Sequence, residues 1–188
     1  LMNPRLLMID ELSLGLAPSV VASLLEIVRR LHDGGMTIVL VEQSVNIALH
    51  LAERAVFMEK GAVRFEGPTR DLLDRPDILR AVFLDGAAGD PSDDETVAGD
   101  APPAPVISLR EPTVQPVASS ERAAPVLETH GVIKRFGGVV AVDEVDLAIA
   151  PGTIVGLVGQ NGAGKTTLLD CISGFHTLDS GRLSLRGV

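Results

Sequence analysis

Apolar residues along this chain fall into two patterned blocks separated by a long stretch without pattern. The first block opens on Leu6-Leu7-Met8-Ile9, a short apolar run ending in Asp10-Glu11, which predicts a buried strand. Val20, Val21, Leu24, Leu25, Val28 and Leu31 then recur at helical spacing. Pro18 suits a first helical turn and Gly34-Gly35 stops the run, so a helix is predicted from Pro18 to about Asp33. Residues 37–41 read as a second buried strand, and Ser44 is placed to cap a helix reaching about Ala52. Residues 55–66 read as a hairpin turning at Lys60-Gly61, and short helices near Thr69 and Pro76 close the block. The second block begins with strands at 126–136 and 139–149 joined by Gly137-Gly138. Pro151-Gly152 turns the chain into a buried strand at 153–158, followed by a glycine loop, a helix over about 165–173, and a last hairpin around Ser180-Gly181. Unbroken apolar strands alternating with helices imply an α/β fold, its parallel sheet covered on both faces.

The unpatterned stretch, residues 85–125, is rich in Pro, Ala, Asp, Ser and Glu. Its prolines forbid regular ladders and it offers little apolar surface to offset the entropy of ordering, so it is expected to be a disordered acidic linker. The organisation is therefore 1–84, a linker at 85–125, and 126–188. A formal net charge of −9 argues against an electrostatic nucleic-acid binder. No run approaches the roughly 20 apolar residues that cross a bilayer. The first residues, Leu1-Met2-Asn3-Pro4-Arg5, do not read as a signal peptide, and they begin as though cut from something longer. The single Cys171 lies in an apolar run and reads as a buried structural thiol.

Chemistry concentrates at two points. Gly159-Gln160-Asn161-Gly162-Ala163-Gly164-Lys165-Thr166 fits the phosphate-binding pattern G-x-x-x-x-G-K-[ST], between a predicted strand and a predicted helix. Glycines let successive amides converge on phosphate oxygens, and the helix start adds unpaired donors and partial positive charge. Lys165 is placed for the β- and γ-phosphates and the Thr166 hydroxyl for magnesium. At the other end of the chain, Asp10-Glu11 closes an apolar strand. Such a pair is often a cap or a solvated turn. Beside a phosphate loop it has the position needed for Asp10 to hold magnesium and Glu11 to polarise the attacking water.

On these residues the chain resembles the ATP-binding-cassette (ABC) family. Residues Asn161 to Thr167 look like its Walker A motif, Leu6 to Glu11 like its Walker B strand, and Ser13-Leu14-Gly15-Leu16 like its interfacial D-loop. The resemblance implies a P-loop NTPase core of ABC type, mostly parallel, with an antiparallel β-subdomain and without the helical subdomain. It implies ATP and Mg2+ as ligands, bound through Gly159, Asn161, Gly162, Gly164, Lys165, Thr166, Thr167 and Asp10. Phe136 stands where the family places the aromatic that stacks on adenine, although an ordinary hairpin residue would read the same. Val41-Glu42-Gln43 places Gln43 at the switch position, usually histidine; glutamine can bond a γ-phosphate but carries no proton at neutral pH. Leu16 departs from the usual D-loop aspartate.

Within the family, residues 1–84 look like the C-terminal half of one ATPase of a branched-chain amino acid importer. Residues 127–188, with Arg135-Phe136-Gly137-Gly138, look like the N-terminal half of its companion. Walker B thus precedes Walker A, and no signature motif or Q-loop is present, as expected of a piece joining two cassettes. The resemblance implies ATP binding and hydrolysis that powers amino acid import; the alternatives are a non-transport cassette ATPase and a truncated fragment that binds nucleotide without turnover. The resemblance further implies transmembrane permease partners, a second cassette, and a cytoplasmic position on the inner face of the plasma membrane. The two halves are complementary, and a linker of about 40 residues reaches roughly 35 Å as a coil. They are expected to dock, bringing Lys165 near Asp10, Glu11 and Gln43.

Overall fold

The computed structural model describes residues 4–73 and 124–186. The helix expected near Pro76, and the linker apart from Ala124-Pro125, lie outside the described residues. In chain order the elements are β1 (Leu6–Asp10), α1 (Pro18–Asp33), β2 (Thr37–Glu42), α2 (Val45–Leu51), β3 (Arg54–Glu59), β4 (Ala62–Pro68) and α3 (Thr69–Leu73). After the undescribed stretch come β5 (Leu127–Phe136), β6 (Val139–Ile149), β7 (Ile154–Val158), α4 (Lys165–Ile172) and β8 (Ser180–Leu185).

The strands form a five-stranded sheet in the order β1-β2-β7-β3-β4 and a three-stranded sheet in the order β6-β5-β8. In the larger sheet β1, β2, β7 and β3 run parallel, and only β4 is antiparallel, as the second arm of the β3–β4 hairpin. The smaller sheet is antiparallel throughout. The expected mostly parallel sheet with an antiparallel companion is therefore present. Among the described residues no separate helical unit accompanies the two sheets.

The position of β7 is decisive. It comes from the second block yet lies between β2 and β3 of the first, so that Leu157 pairs with Val41 on one side and Val56 on the other. Both β2 and β7 are buried along their whole length, as unbroken apolar runs require. One core joins Val39, Val41, Val56 and Met58 of the first block to Leu127, Val132, Val142, Leu157 and Leu168 of the second. On the other face, Val28 of α1 and Leu51 of α2 pack with Ile38, Leu40 and Ile154.

Three sequence expectations change. Ser180-Gly181 is no hairpin turn: it begins β8, which pairs with the distant β5, and Gly181 takes a positive φ where the strands lose register near Gly131. Ser44 holds the cap position of α2, but its hydroxyl makes no capping bond. Of the apolar stripe on α1 only Val28 is fully buried, and Val20 and Leu31 remain exposed, because α1 overlies the β1 side of the sheet, where β1 itself is only half-buried.

Candidate functional site

The site begins where β7 ends. Residues 159–164 loop out and deliver the chain to α4 through Gly164, whose φ of +94° no side chain adopts readily. A Cβ at Gly164 would also lie 2.1 Å from the Ala141 carbonyl oxygen of β6. The loop is propped from the first block. The Gly61 amide, at the tip of the β3–β4 hairpin, donates to the Ala163 carbonyl at 3.1 Å, and the Asp143 amide donates to the Gly61 carbonyl at 2.9 Å.

Lys165, the first residue of α4, is 4% exposed. Its ammonium folds over the loop and donates to the carbonyls of Gly159 at 2.8 Å and Gln160 at 2.9 Å. Burial pushes its pKa below the ordinary value, and the charges of Glu11, Asp10 and Glu42 act in the opposite direction. These carboxylates all stand at the carboxyl ends of β1 and β2, so the parallel sheet brings acidic groups from one terminus of the chain to a basic group near the other.

Among the remaining expected site residues, Gly159 is buried at the loop base, Asn161 and Gly162 are exposed on the loop, Thr166 is exposed and Thr167 half-buried on the first turn of α4. Gln43 follows β2 and is exposed. Phe136 ends β5, on the second sheet, 45% exposed. Its ring meets the edge of His176 at 5.1 Å between centroids, and the Lys134 ammonium lies 5.3 Å from it. Among the described residues, the ring neighbours of Phe136 are thus His176 and Lys134.

Sequence reasoning missed three residues. Glu42 is fully buried: one carboxylate oxygen accepts the Ser13 amide at 3.1 Å, the other the Ser13 hydroxyl at 2.8 Å. A charged residue closing the apolar run Thr-Ile-Val-Leu-Val was a usable signal for it. Gly61 was legible as a turn but not as a prop, and nothing local in the sequence pointed to His176 as a neighbour of Phe136.

The donor set suits a nucleoside triphosphate with its metal. A glycine loop opening a helix supplies amides, and a buried ammonium already bonded to oxygen atoms has the chemistry to exchange them for phosphate oxygens. Among the described residues no three His, Cys, Asp or Glu form a metal cage. A magnesium ion carried on phosphates asks for one or two protein ligands, which Thr166 and Asp10 have the chemistry to supply. No described helix is long and apolar enough to cross a membrane.

Comparison with known proteins agrees with this geometry. Residues 142–188 match the family model described as ABC transporter. Over its whole length the chain is 25% identical to an ABC transporter ATP-binding protein of Methanosarcina acetivorans, spanning 31% of that protein. Over 65 residues, 35% of the chain, it is 48% identical to the ribose import ATP-binding protein RbsA of Pseudomonas putida, covering 13% of it. Over 62 residues, 33% of the chain, it is 47% identical to the high-affinity branched-chain amino acid transport ATP-binding protein LivG of Escherichia coli, covering 24% of it. The chain thus spans about a third or less of the curated relatives it matches.

Proposed function

We propose that this chain, whose fold and relatives are those of ABC transporter ATP-binding proteins, binds ATP with magnesium at the 159–167 loop as part of a transporter's ATPase. The observation that carries the reading is the buried Lys165 ammonium on the carbonyls of Gly159 and Gln160, within the field of Asp10 and Glu11 from the opposite end of the chain. The loop amides and Lys165 bind the β- and γ-phosphates, Thr166 and Asp10 hold the metal, and Thr167 and Asn161 complete the cradle. Glu11 orients the attacking water, Gln43 bonds the γ-phosphate, and Phe136 stacks on the base. Magnesium, when bound, neutralises charge that builds on the phosphate oxygens.

Residues 1–84 and 126–188 correspond, in this reading, to the closing half of one cassette and the opening half of another. They act with a second cassette and with permease subunits at the inner face of the membrane. The transported solute is a branched-chain amino acid, a choice supported by the Val41-Glu42-Gln43 and Arg135-Phe136-Gly137-Gly138 stretches and by the likeness to LivG. The similar likeness to RbsA makes a sugar the second reading. Permease and solute-binding genes beside this one, and the solute their binding protein captures, decide between them.

Because no signature motif is present in this chain, it is expected to bind ATP with little or no turnover by itself. Titration with a fluorescent ATP analogue in magnesium checks the first part: Lys165→Ala should weaken binding at least about tenfold, and equal affinities would sink the reading. Steady magnesium-dependent hydrolysis that Glu11→Gln abolishes would overturn the second part.

A further inference from the structure

Glu42 ends β2 inside the molecule. A carboxylate with 1% exposure at the end of a buried strand is costly unless its oxygens are satisfied. Both are satisfied by one residue, Ser13, through its amide at 3.1 Å and its hydroxyl at 2.8 Å. Two donors on two oxygens fix the orientation of Ser13 as well as its position.

Ser13 belongs to the loop that follows β1, and that loop has few other anchors. Leu14 and Leu16 point outward at 68% and 44% exposure. Only Leu12 packs partly against the α1-side core. The Glu11 amide donates to Val41 at 2.9 Å, and two longer turn bonds lie within the loop. Glu11 itself sits at φ +49°, a left-handed conformation that a non-glycine residue keeps only when its neighbours over-determine it. The Leu14 amide also bonds the Glu11 carbonyl within the loop, while the bond from Glu11's own amide and the Ser13 grip two residues later tie the loop to the last residues of β2.

We propose that Glu42 is a positioning residue for the candidate site: by gripping the Ser13 amide and hydroxyl it fixes the loop after β1, and so holds Glu11 and Asp10 over the phosphate-binding loop. The inference rests on the nucleotide-site reading above. Buried, and with both oxygens bonded to Ser13, Glu42 is assigned no contact with nucleotide or metal. Its effect passes through Ser13 to the acidic pair, and the adjoining Gln43 moves with the same strand end.

The test uses the full chain and its variants Glu42→Ala, Glu42→Gln and Ser13→Ala. Two readouts are followed: affinity for a fluorescent ATP analogue in magnesium and in EDTA, and hydrogen exchange at the Ser13 amide. Glu42→Ala should lower the affinity in magnesium about tenfold, as outer-shell changes at metal sites do, with the affinity in EDTA changed less than about twofold. Its Ser13 amide should exchange at least about tenfold faster. Glu42→Gln should restore most of both, since its carbonyl accepts the Ser13 amide while its NH2 donates to the hydroxyl. Ser13→Ala should fall between, and carries the test if Glu42→Ala does not fold.

Equal losses in magnesium and EDTA accompanied by a lower melting temperature would reduce Glu42 to a structural role and overturn the proposal. So would a Glu42→Gln variant as defective as Glu42→Ala. Wild-type protein that fails to bind the analogue at all would instead bring down the nucleotide-site reading, an outcome distinct from wild-type binding that Glu42→Ala leaves untouched.

Discussion

Burial sets the pH behaviour of Lys165. Its pKa is lowered by burial, so between that lowered value and the ordinary 10.5 the folded chain binds fewer protons than the unfolded chain. Stability contributed at this site therefore rises with pH across that window. Urea unfolding of wild type and Lys165→Met should show their difference moving in favour of wild type as pH climbs toward 10.5; a difference independent of pH would contradict the burial. Cys171 behaves more simply. It is buried within α4 and burial lifts its thiol above the ordinary value, which makes thiolate scarce at neutral pH. Iodoacetamide should modify it at least about tenfold faster in denaturant than in the native chain. Its reading as a structural thiol was available from the apolar run around it; the lowered pKa of Lys165 was not, because the groups that bury and oppose it come from distant elements.

At the scale of elements, the loop at 159–164 is held by its supports as much as by its own glycines. Gly164 needs a positive φ and sits against the Ala141 carbonyl, while Ala163 receives the Gly61 amide from the β3–β4 turn. Gly164→Ala adds backbone strain and a clash with backbone that cannot swing away. It should cost about 2 kcal/mol in unfolding free energy and weaken binding of the ATP analogue. Calorimetry and titration check both, and an unchanged melting temperature would show that the loop adapts. The glycine pattern made the loop readable from the sequence. Its dependence on β6 and on the Lys60-Gly61 turn was not readable, since those contacts bridge segments far apart in the chain and leave no local periodicity.

For the molecule as a whole, the placement of β7 between β2 and β3 governs the behaviour of the two blocks. Without it, β2 and β3 each lose a neighbour, and Val39, Val41, Val56 and Met58 lose most of the core they share with the second block. Residues 1–84 expressed alone should therefore show little ordered circular dichroism or aggregate through bare strand edges, and adding residues 126–188 in trans should recover ordered signal. A first block that folds by itself would contradict the shared core. Unfolding of the full chain followed by two probes, one in each block, should give coincident transitions.

The amino-acid order alone determined most of the described strands and helices, because burial imposes its period locally. It also placed the glycine loop between β7 and α4, because the backbone conformation such a turn needs is a local requirement that glycine meets. Only the tertiary structure decided that β8 pairs with β5, that α1 buries little of its stripe, and that Glu42 grips Ser13. Each of those is a choice of partner between residues distant in the chain, and packing makes that choice where no local pattern can.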